Sequence, residues 1–190
     1  NLAVSQDKLK DYVNRFKQLI INKKIRKLEI TCSIDCWGVE QEYVRYGLDL
    51  EQWEQNFNYL LDQSWLQINI NQVVTPLTIK TMPALLTKLI EWKKKKTINQ
   101  FFSGATPGPD SLKPTIFGGD IFKEDFEQIL DLMPKQTEQE REAVKYMSGI
   151  WAEIQSAKPN VQEIANLKFF LDEIDRRRNT NWKEIFKWIK

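Results

Sequence analysis

Residues 27–36 read KLEITCSIDC and residues 66–74 read LQININQVV, and these two stretches decide the fold. In the first, Leu28, Ile30, Cys32, Ile34 and Cys36 share one face, while Glu29, Thr31, Ser33 and Asp35 share the other. In the second, Leu66, Ile68 and Ile70 alternate with Gln67, Asn69 and Asn71. Strict period-two alternation predicts strands with one apolar and one polar face. Helical spacing surrounds them. Leu9, Tyr12, Val13, Phe16, Leu19 and Ile20 predict a helix from a Ser5 cap to about Lys24. Leu50, Trp53, Phe57, Leu60 and Leu61 predict another over about 49–63. A third follows Pro83 and ends in Lys93–Lys96, where basic residues suit the helix dipole. Residues 97–103, TINQFFS, read as a third strand.

Strands joined through helices pair in parallel, because a parallel neighbour needs a long crossover. A parallel sheet covered on both faces reads as continuous apolar runs, and these strands do not. A curved or barrel-like sheet whose polar face points into a lumen accounts for the pattern; a sheet with one wetted face is the plainer alternative. The expected fold is α/β, a partial parallel (β/α) barrel with a C-terminal helical region. The barrel part covers residues 1–122 and the helical tail 123–190. Between strand and tail runs the Gly/Pro-rich stretch 104–119, GATPGPDSLKPTIFGG. Helices are expected over about 123–133, 138–156 and 161–178, with a short amphipathic end, NWKEIFKWIK.

Composition narrows the chemistry. The 190 residues are 42% hydrophobic and 28% charged, with 28 basic against 26 acidic side chains and a net charge of +2. That balance supplies no field for nucleic acid or anionic lipid. Histidine is absent, which removes imidazole catalysis and His-ligated zinc. Two cysteines make neither a disulfide framework nor a four-cysteine metal site. No stretch is long and apolar enough to span a membrane, and a cytoplasmic protein is expected. Asn1 rather than Met stands first, so the chain is expected to begin within a longer gene product.

Cys32 and Cys36 form C-x3-C, the start of the C-x3-C-x2-C spacing of a catalytic iron–sulfur loop, but the third position is Val39. Both also lie on the apolar strand face, so the pair reads as structural and no metal ligand is assigned. Thr31, Ser33 and Asp35 sit toward the carboxyl end of a parallel strand, where ligands of α/β sheets collect. Hydroxyls and a carboxylate there suit ribose hydroxyls or an α-amino group; equally, Asp35 and Gly38 build the turn after the strand. Arg45 suits a bidentate carboxylate, with a surface pair to Glu40, Glu42 or Asp49 as its alternative. Arg176, Arg177 and Arg178 end a helix, as basic residues often do.

The segment SIDCWGVEQEYVRYG at 33–47 resembles the "SIDGxGxxxEYxRxG" strand-to-helix segment of radical S-adenosylmethionine (SAM) enzymes of the SPASM/twitch group. LDEIDRRRNTNWKEIF at 171–186 is similar to their "LDxRRGTxWxExFP" ending, and TPGPDSLKPTIF at 106–117 to their "PxYLxPxxLP" segment. Cys36 and Asn179 stand where the patterns have glycine, and Lys187 where proline is common. The resemblance implies a C-terminal portion of an enzyme that cleaves SAM at a 4Fe–4S cluster and abstracts hydrogen from a peptide, protein or small-molecule substrate. It implies Ser33 and Asp35 near the ribose or amino group of SAM, Arg45 near its carboxylate, and Asn69 and Asn71 near adenosine or substrate. Catalytic residues are not assigned. SAM and the cluster are expected in the full-length protein and neither on this chain alone, since the three-cysteine loop is missing from it. The competing expectation is a degenerate α/β module with a binding or structural role.

Overall fold

The computed structural model describes residues 2–103 and 109–190. Chain order begins with α1 (Gln6–Ile21), β1 (Glu29–Ser33), α2 (Val39–Val44), α3 (Leu50–Leu61) and β2 (Gln67–Val73). It continues through α4 (Pro76–Ile79), α5 (Met82–Lys95) and β3 (Ile98–Ser103) to three short 3-10 turns between Asp110 and Phe122. The helices α6 (Lys123–Leu132), α7 (Glu138–Ser156), α8 (Val161–Arg178) and α9 (Trp182–Ile185) complete it.

The strands form one sheet in the order β1-β2-β3, and both pairings are parallel. Parallel pairing through helical crossovers is therefore present; the architecture is α/β with a three-stranded parallel sheet, and a closed barrel is not what these strands form. Register places Thr31 beside Asn69 and Asn69 beside Asn99, and Ser33 beside Asn71.

The apolar strand face carries the core. Cys32, Ile34, Leu66, Ile68, Ile70 and Ile98 are buried against α3 and α5 through Trp53, Phe57, Leu60, Leu85, Leu89 and Trp92. Trp53 stacks on Phe57 at 4.8 Å, and Trp37 meets Trp92 edge-on at 5.7 Å. The same core runs on into the tail: Phe126, Ile129, Met147 and Ile154 belong to it. A second cluster joins Tyr43 and Leu77 to Leu167, Leu171, Trp182 and Phe186, so α8 and α9 close over α2 and α4. On the helix-facing side the alternation also buries two amides. Gln72 and Gln100 hydrogen-bond to each other there, and Gln72 donates to the Asp35 carbonyl at 3.3 Å.

The first strand is shorter than the alternation predicts. Ile34 N–H still donates to the Asn71 carbonyl at 3.2 Å, but the next two amides leave the sheet. The wholly buried Gln41 takes both: its Oε1 accepts from Asp35 N–H and Cys36 N–H, each at 3.0 Å. Gln41 belongs to α2, a helix the sequence reading does not separate out. Gly38 opens that helix at φ +112°, and a Cβ there would stand 2.9 Å from Glu40 Oε2, so this entry turn favours glycine. The first helix stops at Ile21 because Lys23 turns left-handed at φ 56° and the Lys24 amide bonds back to Leu19 O at 2.8 Å. Ser5 occupies the N-cap position, yet its side chain makes no capping bond. Other caps do bond, among them Asp49, which accepts from Gln52 N–H at 2.8 Å, and Thr137, which forms a capping box with Glu140. Of the 104–119 stretch, residues 104–108 lie outside the described residues, and the remainder forms 3-10 turns.

Candidate functional site

The polar face of the sheet is a set of rows running across the strands. Asn99 Nδ2 donates to Asn69 Oδ1 at 3.0 Å, and Asn69 Nδ2 reaches toward Thr31 Oγ1 at 3.5 Å. Nearer the carboxyl ends Asn71 stands beside Phe101 in register and bonds diagonally and reciprocally with Ser103, at 2.7 and 2.9 Å. Ser33 stands beside Asn71 in register, half-buried, with no side-chain hydrogen bond among the described residues. The face is wet: Glu29, Thr31, Phe101 and Ser103 are exposed, whereas Asn69 is covered by its row neighbours. Lys27 pairs with Glu29 at its lower edge and lowers that carboxyl's pKa.

Asp35 and Arg45 lie beyond the strand ends and are spent on each other. Arg45 Nε donates to Asp35 Oδ2 at 2.7 Å and Nη2 to Oδ1 at 2.9 Å. Asp35 Oδ1 also accepts from Val73 N–H at 2.9 Å, and the residue is only 5% exposed. The carboxylate partner of Arg45 is thus the strand-end aspartate itself, not Glu40, Glu42 or Asp49. Arg45 Nη1 takes no partner among the described residues, and Arg45 is among the residues that line a cleft of about 300 Å³ together with Val73, Thr75 and, on α8, Ile174 and Arg178.

The five sequence-derived positions therefore fall in two adjoining zones. Ser33, Asn69 and Asn71 lie on the open sheet face; Asp35 and Arg45 lie in the wall of the cleft. Asn99, Ser103 and Arg178 were not singled out as site residues. Alternation in INQFFS does put Asn99 and Ser103 on one face, but only the register shows that this face is shared with Asn69 and Asn71.

Cys32 and Cys36 are both free and buried, and burial pushes the Cys32 thiol up to about 12 and the Cys36 thiol higher still. No cluster of three or more His, Cys, Asp or Glu side chains able to hold a metal ion occurs among the described residues. The donor set here does not fit an iron–sulfur cluster. Among the described residues no helix is long and apolar enough to cross a membrane.

Comparison of the chain with protein-family models gives no match, and neither curated proteins nor solved structures give one.

Proposed function

We propose that this chain is the C-terminal portion of a radical SAM enzyme of the SPASM/twitch group, contributing three parallel strands and the outer helices of a β/α barrel. The one-sided sheet carries the reading. Helices cover one face, and the other presents hydroxyl and amide groups in rows toward the carboxyl ends, where ligands of parallel β/α folds bind. An α/β layer that buried both faces would carry apolar side chains at Asn69, Asn71 and Asn99.

In this reading Ser33 meets the ribose or amino group of SAM, and Asn69 and Asn71 meet adenosine or substrate. Arg45 offers Nη1 to the SAM carboxylate while Asp35 fixes its guanidinium. The chemistry SAM supplies, beside a reduced 4Fe–4S cluster, is hydrogen abstraction from a peptide, protein or small-molecule substrate. Residues other than those described here must hold the cluster. This chain's own part is to position and to exclude water.

A second reading, a non-catalytic α/β module, is favoured by one observation: Asp35 and Arg45 already hold each other bidentately at the strand end, a structural role that needs no ligand. SAM binding separates the two. Alone, the chain offers a few hydrogen bonds worth about 0.5–1.5 kcal/mol each against an association cost of roughly 4–15 kcal/mol, so it binds SAM weakly or not at all. In the complete gene product reconstituted with iron and sulfide, Arg45→Ala weakens SAM binding by about 1–3 kcal/mol. Ser33→Ala, which leaves the Asp35–Arg45 pair in place, weakens it by about 0.5–1.5 kcal/mol. Micromolar binding to the chain alone, or no effect of either substitution, contradicts the SAM reading.

A further inference from the structure

Three arginines end α8, and the structure separates them. Arg176 and Arg177 are both taken by Glu173, at 2.8 and 2.7 Å. Arg178, a further 100° around the helix, turns inward to the cleft that Arg45 also lines. It donates Nη1 to the Tyr43 carbonyl at 3.1 Å, and its guanidinium lies 4.9 Å from the centre of the Tyr46 ring. Among the described residues it has no carboxylate partner. Asp175, the acid nearest in sequence, is occupied elsewhere: it accepts from Tyr43 Oη, Thr180 Oγ1 and Trp182 N–H.

Arg178 is half-buried with donors that no described residue takes, and it lines the same cleft as Arg45, whose Nη1 no described residue takes either. The same cleft is also lined by Leu77, Leu112, Phe170 and Ile174, the last two lying on the turns of α8 that precede Arg178. Its volume of about 300 Å³ is at the small end of ligand pockets. We propose that this cleft binds a small organic carboxylate with an apolar body, the carboxylate on Arg178 with Arg45 Nη1 adjoining, and the body against the α8 wall. Asp35 already neutralises Arg45, while Arg178 makes no direct ion pair with a carboxylate among the described residues, which favours an anion there. A planar two-oxygen group matches a guanidinium fork better than a spherical anion does. Arg45 Nη1 is the donor that the SAM reading gives to the SAM carboxylate, but Arg178 carries this site, so failure of the SAM reading leaves it standing.

The test titrates 3-phenylpropionate into the 190-residue chain by calorimetry, with 3-phenylpropan-1-ol as the uncharged probe of the same body. Expected are saturable binding of the carboxylate in about the millimolar range and binding of the alcohol at least roughly tenfold weaker. Arg178→Gln keeps a donor for the Tyr43 carbonyl and weakens the carboxylate by roughly tenfold or more. Leu112→Trp, which fills the cleft and leaves both arginines, abolishes binding of both probes, and it decides the matter if Arg178→Gln does not fold. No saturable binding of the carboxylate, equal binding of the two probes, or undiminished binding in Leu112→Trp overturns the proposal.

Discussion

Arg45 grips Asp35 through two parallel hydrogen bonds, of 2.7 and 2.9 Å, while Asp35 also accepts the Val73 amide at 2.9 Å. One carboxylate thereby ties the end of β1 to the end of β2 and to the residue that follows α2. Side-chain exposure is 7% for Asp35 and 27% for Arg45, so removing either partner strands a poorly hydrated charge. Asp35→Ala and Arg45→Ala are each expected to cost about 2–4 kcal/mol, and the double substitution to cost at least about 1 kcal/mol less than their sum. Urea unfolding of the four proteins measures this; simple additivity would mean the two groups act independently.

Gln41 does the work of a missing strand. With Gln41→Leu, two buried amides, of Asp35 and Cys36, lose their only side-chain acceptor. The expected loss is about 2–4 kcal/mol in unfolding free energy. Gln55→Leu, on the exposed side of α3, should stay within about 0.5 kcal/mol. Equal effects would show that the turn after β1 does not depend on Gln41.

The aromatic layer over the sheet predicts an asymmetry. Phe57 is fully buried between Trp53 and Trp92, and Phe57→Ala should cost about 3–5 kcal/mol. Trp53 is equally buried, but its Nε1 has no hydrogen-bond partner among the described residues. Trp53→Phe loses volume yet also removes an unpaired donor, so it should cost under about 1.5 kcal/mol. Thermal unfolding of the two variants decides the order.

Alkaline pH should weaken the fold through its thiols. In the folded chain burial holds the Cys32 proton up to about pH 12, and Cys36 is shifted in the same direction, whereas an unfolded thiol releases its proton near 8.5. The unfolded state therefore binds fewer protons above pH 8.5, and stability falls by up to about 1.4 kcal/mol per pH unit for each thiol. Between pH 8 and 10, Cys32→Val should show a shallower fall than the parent chain. The same burial predicts that both thiols resist alkylation at pH 8 until denaturant is added. Rapid native alkylation of both would mean that neither thiol is shielded.

Periodicity explains why much of this fold is legible in the chain. The strands at 27–36, 66–74 and 97–103 and the helices from 123 onward follow from alternation and from the spacing of apolar residues, while the caps Asp49, Thr137 and Asn160 come from the structure. The short helices α2 and α4 do not stand out, because six and four residues are too few to show a period. Gly38 and Gly47, and the Thr75-Pro76 step with Thr78 three residues on, are their only local marks. The polar sheet face was readable from Ser33, Asn69 and Asn71. The partner of Arg45 was not, since ten positions separate it from Asp35 and only the turn held by Gln41 brings them together. Arg178 is 135 residues from the Tyr43 carbonyl it binds, a distance at which spacing carries no signal.

The most direct test of the central claim is SAM cleavage by the complete gene product, reconstituted anaerobically with iron and sulfide and reduced with dithionite. Our account predicts 5′-deoxyadenosine and methionine from SAM, a yield that falls in Ser33→Ala and Arg45→Ala at subsaturating SAM, and none from the 190-residue chain alone. A reconstituted complete product that holds its iron–sulfur cluster yet forms no 5′-deoxyadenosine would contradict it and leave the non-catalytic module.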